Sequence, residues 1–240
     1  MTTNPEWLPL TPEEEAELPK RLRPRSRIFL DGDSVTYGYW DEQGGWANRF
    51  KVKAMREFMW RYEVVNLALG NQTLDKLVER LPSQIAPYGR ARNLGVFMIG
   101  GADAAIQKGQ TEPKLPLPVF KENLQILGEL TCRHRMTPMF VGPYELDDSL
   151  TNPDPLTGTR RTNELYGEYA GAVKDFAAEI NAPYIELTQF SARPISEVVS
   201  WDNMHPSDEG HRLIAEDVYA AVKQRLEQPL LDYRPGASGL

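Results

Sequence analysis

Five short apolar segments, separated by stretches with helical spacing, constrain the fold of this 240-residue chain. They are SRIFLDG (26–32), EVVNLA (63–68), LGVFMIG (94–100), PMFVGP (138–143) and PYIELT (183–188). The segments are nearly continuous in apolar residues rather than alternating, which is typical of parallel strands that are covered on both faces. The sequence therefore predicts five buried parallel strands.

The segments between these strands repeat apolar residues at helical spacing. One stripe contains Trp46, Phe50, Ala54 and Phe58, and further helices are predicted over 117–134, 162–180 and 207–227. Helices that alternate with parallel strands form right-handed crossovers and cover both faces of an open sheet. We therefore predict an α/β fold of three layers, α/β/α, with a five-stranded parallel sheet.

Length and composition favour one domain. The chain is 41% hydrophobic and 25% charged, which suits a protein with a single large core. We place the domain at 26–228, after a solvated lead-in (1–25) and before a C-terminal tail (229–240). The single cysteine, Cys132, excludes an intramolecular disulfide framework, and we interpret it as a buried structural thiol.

Charge and hydropathy exclude two classes of partner. With 34 acidic and 27 basic residues, the chain has the opposite balance from a nucleic-acid binder. No apolar run approaches the ~20 residues of a membrane span, and the N-terminal segment lacks the apolar core of a signal peptide. We therefore predict a cytoplasmic protein with no nucleic-acid partner and no membrane span.

Catalytic residues in open parallel sheets gather beyond the carboxyl ends of the strands. The segment DGDSVTYG follows the first strand and places Ser34 at the expected start of a helix. A serine nucleophile needs a base, and the base needs a third group that orients it. Taken alone, the simpler interpretation is that Ser34 or Asp33 caps the helix.

The candidate base lies in WDNMHPSDEGH (201–211), which contains two of the three histidines. His205 precedes Pro206 and is therefore biased toward a loop, and Asp202 is close enough in sequence to orient its ring. We interpret His134 and His211 as surface or packing residues of helices. A metal site would require His211 to converge with Asp202 and His205, and the last helix should carry it away, so we predict no metal.

Four ordered blocks resemble the SGNH, or GDSL, esterase and lipase superfamily over residues 26–227. They are GDSVTYG, the glycine after the second strand, GGAD after the third, and DNMHP near the C-terminus. The stretch from GGADAAIQ to VFKENL, followed by YA at 169–170, is more narrowly similar to the branch that contains isoamyl acetate-hydrolysing esterases. The resemblance implies a serine esterase that cleaves a carboxylic ester through an acyl-enzyme, without a cofactor. Its small-molecule substrate would carry a small or medium acyl group or an O-acetyl group.

The family's catalytic residues can be matched position by position. Ser34 matches the nucleophile, His205 the base and Asp202 the acid. The N–H groups of Ser34 and Gly70 match two donors of the oxyanion hole. The third donor in the family is an asparagine side chain, and Ala102 stands at its position.

An alanine side chain cannot donate a hydrogen bond, and the loss of one oxyanion-hole donor typically costs ~10² to 10³ in turnover. Three explanations stay open: an engineered substitution, a replacement donor such as Asn71 or Gln72, or a protein that has lost catalysis. Because the triad is complete, we favour a hydrolase with a weakened or substituted oxyanion hole. The rival functions are a catalytically impaired binding protein and an acyltransferase.

Residues near the triad are candidates for the substrate pocket, namely Tyr37, Trp40, Asn71 and Trp201. An alternative interpretation is that Trp46 and Trp40 belong to the hydrophobic core. The long loop over 144–162 is a candidate lid or binding loop. Arg160 and Arg161 on this loop are placed to meet an anionic group, although a solvated loop is the simpler interpretation.

Overall fold

The structure, a computed structural model, describes residues 26–58, 62–88 and 91–227. The predicted lead-in and tail lie outside the described residues. The described part contains a five-stranded, all-parallel sheet with strand order β2-β1-β3-β4-β5. The predicted fold class is therefore confirmed.

The strands lie close to the predicted segments, and the helices connect them. The strands are β1 (Arg27–Gly32), β2 (Glu63–Asn66), β3 (Asn93–Met98), β4 (Met136–Val141) and β5 (Tyr184–Ile185). The longer helices are α2 (Gly45–Glu57), α3 (Leu74–Ile85), α4 (Leu117–Arg133), α6 (Asn163–Glu179) and α9 (Asp208–Leu226). Four-residue helices complete the series: α1 (Ser34–Tyr37), α5 (Asp148–Thr151), α7 (Thr188–Ser191) and α8 (Ile195–Val198). None of the helices in the described ranges is long and apolar enough to cross a bilayer.

Two hydrophobic cores sandwich the sheet, because successive strand residues point to opposite faces. In β1, Ile28 and Leu30 pack into the core beneath α2 and α9, whereas Phe29 packs into the core beneath α3, α4 and α6. All three side chains are fully buried. Burial on both faces explains why the strand segments read as continuous apolar runs.

Helix α3 lies in a segment for which we gave no helix bounds. Pro82 stands inside it, and an internal proline ordinarily argues against a helix because it removes one backbone hydrogen bond. The helix nevertheless forms because five buried residues line one face: Leu74, Leu77, Val78, Leu81 and Ile85. Burial of this apolar stripe outweighs the lost bond.

The long loop over 144–162 is pinned to the protein at several points. Its residue Arg160 forms an antiparallel bridge with Ile106. The Arg161 N–H donates to the Thr151 carbonyl at 2.9 Å, and the Thr151 hydroxyl donates to the Arg161 carbonyl at 3.0 Å. Arg160 is exposed as expected, but the interpretation of Arg161 as a solvated loop residue is wrong, because its side chain is buried.

Cys132 and His134, at the C-terminal end of α4, are both neither fully buried nor fully exposed. Cys132 is only partly buried, so the expectation of a buried thiol is wrong. It lies in the last turn of α4 beside the exposed Arg133, where the helix leaves the core. His134 is the C-cap residue of the same helix and is partly exposed.

His211 joins the last helix to the turn that follows α1. Its Nε2 donates to the Tyr39 carbonyl at 3.0 Å, and its Nδ1 accepts from the Trp46 backbone N–H at 3.1 Å. The side chain is fully buried. His211 is thus a packing residue with two specific hydrogen bonds, and burial lowers its pKa to about 4.

The burial of His211 makes stability sensitive to acid. Its folded-state pKa lies below the ordinary 6.5, so the unfolded chain binds the extra proton between about pH 6.5 and 4, and stability is lost as the pH falls through this window. We expect wild-type protein to lose about 3 kcal/mol of unfolding free energy more than His211→Gln over that range. Denaturant unfolding at a series of pH values measures the difference.

The difference in unfolding free energy between wild type and His211→Gln cancels the contributions of other buried groups whose pH dependence has the opposite sign. Burial raises the pKa of Asp31 to about 6 and that of Asp103 to about 7. The stabilising contribution of these two carboxyl groups to the folded protein therefore falls as the pH rises. Both are present in wild type and variant alike. His134→Gln serves as the control for a partly exposed histidine. Parallel pH profiles for wild type and His211→Gln would contradict the expectation.

Candidate active site

The segments beyond β1, β2 and β3 meet in one cleft of about 220 Å³. Ser34 follows β1, Gly70 follows β2, and Gly101 and Ala102 follow β3; all four line the cleft together with His205. This placement follows from the parallel sheet, in which the carboxyl ends of neighbouring strands share one edge.

Ser34, His205 and Asp202 form a continuous hydrogen-bonded chain. The Ser34 hydroxyl lies 2.7 Å from His205 Nε2, and His205 Nδ1 lies 2.5 Å from Asp202 Oδ2. In this order the serine donates to the ring, and the far ring nitrogen donates to the carboxylate. A chain with these distances can remove a proton from the serine hydroxyl and hold it on the imidazole.

Asp33, rather than Ser34, caps the short helix α1. Its Oδ1 accepts from the Val35 N–H at 2.9 Å, and its Oδ2 accepts from the Ala102 N–H at 3.2 Å. Ser34 is the first helical residue, so its hydroxyl is not used as a cap. The simpler interpretation of Ser34 as an N-cap is therefore wrong, and the Asp33 carboxylate also ties the β1 loop to the β3 loop.

The Asp202 carboxylate is fixed by five donors. Besides the His205 ring, they are the Ser200 hydroxyl, the backbone N–H groups of Met204 and His205, and the Trp40 indole at 2.7 Å. Burial alone would raise the pKa of Asp202, but the hydrogen bonds from His205 outweigh it and hold that pKa below its usual range. The carboxylate thus stays ionised and oriented toward the imidazole.

Trp40 bonds the Asp202 carboxylate, although we had considered it only for the pocket or the core. Its side chain is 51% exposed, so the core interpretation is wrong for Trp40, whereas Trp46 is fully buried in the core. Its ring contacts Trp201, with 4.9 Å between centroids. The Trp40 indole N–H thereby holds Asp202 from the solvent side.

The other predicted pocket residues divide between the cleft and its surroundings. Asn71 lines the cleft, whereas Tyr37 and Trp201 are more than half exposed and do not line it. Tyr39 lines the cleft instead, and its ring packs on the imidazole of His205 at 5.2 Å between centroids. The sequence YGYW (37–40) does not indicate that Tyr39, rather than Tyr37 or Trp40, lines the cleft.

Gly70 and Ala102 stand where the resemblance places oxyanion-hole groups. A Cβ at Gly70 would lie 2.3 Å from the Tyr39 hydroxyl, so no other residue fits without displacing that ring. At Ala102 the backbone is fixed by the bond to Asp33, and the residue is partly exposed and lines the cleft. The backbone is therefore in place at the position of the family's asparagine, but the asparagine side chain is absent.

The two residues that we had considered as replacement donors behave differently. Gln72 is buried, its amide nitrogen donates to the Thr73 carbonyl at 2.9 Å, and its oxygen accepts from Arg80 at 3.0 Å. Asn71 faces the cleft, and its side-chain oxygen accepts from the Lys114 ammonium. Only Asn71 of this pair has a side chain directed to the site.

Asp103, the last residue of the GGAD block, organises the backbone beside the cleft. It is buried, and it accepts from the Leu74 N–H at 2.7 Å and from the Gly100 N–H at 3.1 Å. It therefore joins the start of α3 to the loop that carries Ala102. Its role is structural and was not predicted.

The cleft also contains residues that the sequence analysis did not assign to it. They are Lys114, Pro143, Tyr144, Arg161 and Tyr166, together with the apolar side chains Val35, Met98, Ile99 and Met204. Arg161 was considered for an anionic group, but nothing in the sequence distinguished it from its exposed neighbour Arg160. Lys114 lies in a polar segment, GQTEPK, that gave no signal at all.

The histidines do not converge on a metal position. Both ring nitrogens of His211 are bonded to the backbone, as described above, and His205 is bonded to Ser34 and Asp202. Within residues 26–58, 62–88 and 91–227, no group of three or more His, Cys, Asp or Glu side chains is placed to hold a metal ion.

Comparison with known proteins places this geometry in a family. A curated relative, the isoamyl acetate-hydrolyzing esterase of Saccharomyces cerevisiae, is 20% identical over 208 residues, which cover 82% of this chain and 86% of the yeast protein. A lipase/acylhydrolase from Enterococcus faecalis superposes with a TM-score of 0.65 at 20% identity, covering 89% of this chain and all of the other.

An acetylxylan esterase from Geobacillus stearothermophilus, Axe2, superposes with a TM-score of 0.63 at 18% identity, covering 87% of this chain and 97% of the other. At these identities the structural likeness establishes the shared fold. The model of the GDSL-like lipase/acylhydrolase family matches residues 31–213, which include Ser34, Gly70, Ala102, Asp202 and His205. The chain therefore belongs to the GDSL-like lipase/acylhydrolase family.

Proposed function

We propose that the protein is a serine esterase that cleaves a carboxylic ester through an acyl-enzyme. The observation that carries the proposal is the chain from Ser34 through His205 to Asp202, with distances of 2.7 and 2.5 Å. Family membership supports the same reaction class.

Acylation begins when the Ser34 oxygen attacks the ester carbonyl carbon and its proton passes to His205 Nε2. The charge that develops on the carbonyl oxygen is stabilised by the backbone N–H groups of Ser34 and Gly70. The intermediate then expels the alcohol, which takes the proton from His205. Asp202 remains ionised throughout and stabilises the imidazolium.

Deacylation repeats these steps with water. His205 removes a proton from the water, which attacks the acyl carbon, and the Ser34 oxygen leaves with the proton returned by His205. The products are a carboxylic acid and the free enzyme. If an alcohol takes the place of water, the same steps transfer the acyl group.

The size of the cleft favours a small or medium acyl group, or an O-acetyl group on a larger alcohol. A cleft of about 220 Å³ accommodates a short acyl chain. The exposed aromatic residues Trp40 and Trp201 stand outside the cleft, where a larger alcohol portion would extend.

A second candidate function is a binding protein that retains the cleft and has lost most of its activity. The specific observation in its favour is Ala102, which removes the side-chain donor of the oxyanion hole. The intact hydrogen bonds of Asp202 favour the esterase, because they hold an ionised carboxylate against the His205 ring, as an imidazole that acts as a base requires.

Covalent labelling tests the proposed nucleophile. A fluorophosphonate should form one phosphorus–oxygen bond with the Ser34 oxygen and release fluoride. Intact mass spectrometry should show one adduct per chain, and peptide mapping should place it on Ser34. Turnover of p-nitrophenyl acetate should fall in proportion to labelling.

His205→Ala should slow this labelling, because the hydroxyl then loses its base. Ser83, a serine on the exposed face of α3, should remain unlabelled. An adduct elsewhere, with ester turnover unaffected, would rule out Ser34 as the nucleophile.

A further inference from the structure

Two cationic side chains, Arg161 and Lys114, line the cleft that contains Ser34. The Arg161 residue is only 9% exposed, which is unusual for an arginine without a carboxylate partner. Lys114 comes from the segment before α4, and Arg161 from the loop before α6. Neither takes part in the proposed acyl transfer.

The backbone holds Arg161 in place independently of its guanidinium. The Ile106–Arg160 bridge has hydrogen bonds of 2.8 and 3.0 Å, and Thr151 bonds both the N–H and the carbonyl of Arg161. Thr151 itself is fully buried. The position of the arginine is thus fixed before any ligand arrives, which lowers the entropic cost of using it for binding.

The guanidinium of Arg161 is incompletely satisfied. Within the part of the chain that the structure describes, its Nη1 is buried and has no hydrogen-bond partner. The Tyr166 hydroxyl lies beside the same guanidinium, but one phenol cannot satisfy five N–H groups. A buried, unpartnered charged donor is costly, so a partner supplied by a ligand would be strongly favoured.

Lys114 has a neutral partner rather than an anionic one. Its ammonium donates to the side-chain oxygen of Asn71. Burial lowers the pKa of Lys114 and the positive charge of Arg161 lowers it further, and the carboxylates of Asp33 and Asp103 offset only part of this shift. Two cations at the cleft therefore repel each other, and an anion that bound both would stabilise their charged forms.

The carboxylates around the cleft are already engaged. Asp33 bonds the N–H groups of Val35 and Ala102, Asp103 bonds those of Leu74 and Gly100, and Asp202 bonds His205. Among the described residues, neither Lys114 nor Arg161 forms an ion pair with them or with any other carboxylate. No carboxylate of the described residues therefore pairs directly with either cation, which leaves both able to bind the carboxylate of a ligand.

We propose that the cleft takes esters that bear a carboxylate, and that Arg161 and Lys114 bind this carboxylate while Ser34 attacks the ester. The inference rests on the proposed function and adds the substrate class. A guanidinium presents a planar fork that matches a carboxylate, and charge-assisted bonds of this kind are stronger than neutral ones. A carboxylate is small enough to share a cleft of about 220 Å³ with the ester.

Matched esters test the preference. Mono-p-nitrophenyl succinate carries the carboxylate on the acyl side, and p-nitrophenyl butyrate is its neutral counterpart. On the alcohol side, 4-acetoxybenzoate is compared with 4-acetoxybenzamide. We expect kcat/KM for the carboxylate ester of one pair to exceed that of its neutral counterpart by about 10- to 100-fold. The pair that responds identifies the side on which the carboxylate binds.

Arg161→Met should reduce this preference to about unity, whereas Arg161→Lys should keep part of it. Arg160→Met is the matched control, because Arg160 is the exposed neighbour on the same pinned loop, and it should leave the preference unchanged. An equal loss for both esters in Arg161→Met would overturn the proposal, since the arginine would then serve the reaction or the fold and not a charged substrate.

Binding to Ser34→Ala separates this inference from the proposed function. Isothermal titration with glutarate or 4-hydroxybenzoate should show binding that weakens by about 10-fold or more in Ser34→Ala/Arg161→Met. Carboxylate binding without any ester turnover in the parent protein would leave the anion site standing and reject the esterase. Turnover of neutral esters with no carboxylate preference and no such binding would reject the anion site alone. Binding of phenyl phosphate but not of carboxylates would overturn the assignment to carboxylates.

Discussion

Ser34→Ala is expected to lower kcat for p-nitrophenyl acetate by about 10⁴- to 10⁶-fold. Without the hydroxyl, no acyl-enzyme can form, and the proton that His205 would remove is absent. The backbone donors and the cleft remain, so substrate binding should change little. Steady-state kinetics on purified protein measure the effect, with circular dichroism to verify that the variant is folded.

Ser83→Ala is the matched control, because this serine is exposed on α3 and its hydroxyl bonds only the carbonyl of Arg80 within the helix. It should retain full activity. Wild-type turnover in purified Ser34→Ala would refute the assignment of the nucleophile and, with it, the proposed mechanism.

Ala102→Asn is expected to raise kcat by about 10²- to 10³-fold. The backbone at this position is already fixed by its bond to Asp33, and Ala102 lines the cleft. The oxyanion hole that we propose now has two backbone N–H donors, and an asparagine amide at this position would add a third. The gain should be in kcat more than in KM, because the oxyanion exists only after attack.

Ala102→Leu provides a control of similar size that cannot donate a hydrogen bond. It should not raise kcat, and Ala102→Asn combined with Ser34→Ala should remain inactive. If Ala102→Asn leaves a measurable kcat unchanged, the missing donor is already replaced, and Asn71 is then the first residue to substitute. If both forms fail to turn over a broad panel of esters and still bind carboxylates, the impaired binding protein is the better description.

The sequence predicted the sheet well because burial on both faces leaves a simple pattern. Five short, nearly continuous apolar runs predicted five strands, and all five are found, although the edge strand β2 is only partly buried. Helix α3 was missed because Pro82 and the apolar stripe gave opposite signals, and only packing against the sheet decides between them.

The placement of His205 beside Asp202 could be anticipated because local rules apply to both residues. Pro206 keeps His205 off the last helix, and the short spacing to Asp202 limits where the carboxylate can lie. The structure brings these residues together with Ser34 as expected. The cations could not be anticipated in the same way, because Arg160 and Arg161 differ only in which one faces inward after the Ile106 bridge forms.

The order of residues along the chain has a consequence for when activity can appear during folding. The proposed nucleophile is residue 34 and its base is residue 205, and helix α9, through His211, bonds Tyr39 in the turn after α1 and Trp46 in α2. A chain whose last helix has not docked has a serine without a base. Ester turnover would thus report on completion of the fold, and partly folded chains would have little capacity for indiscriminate hydrolysis.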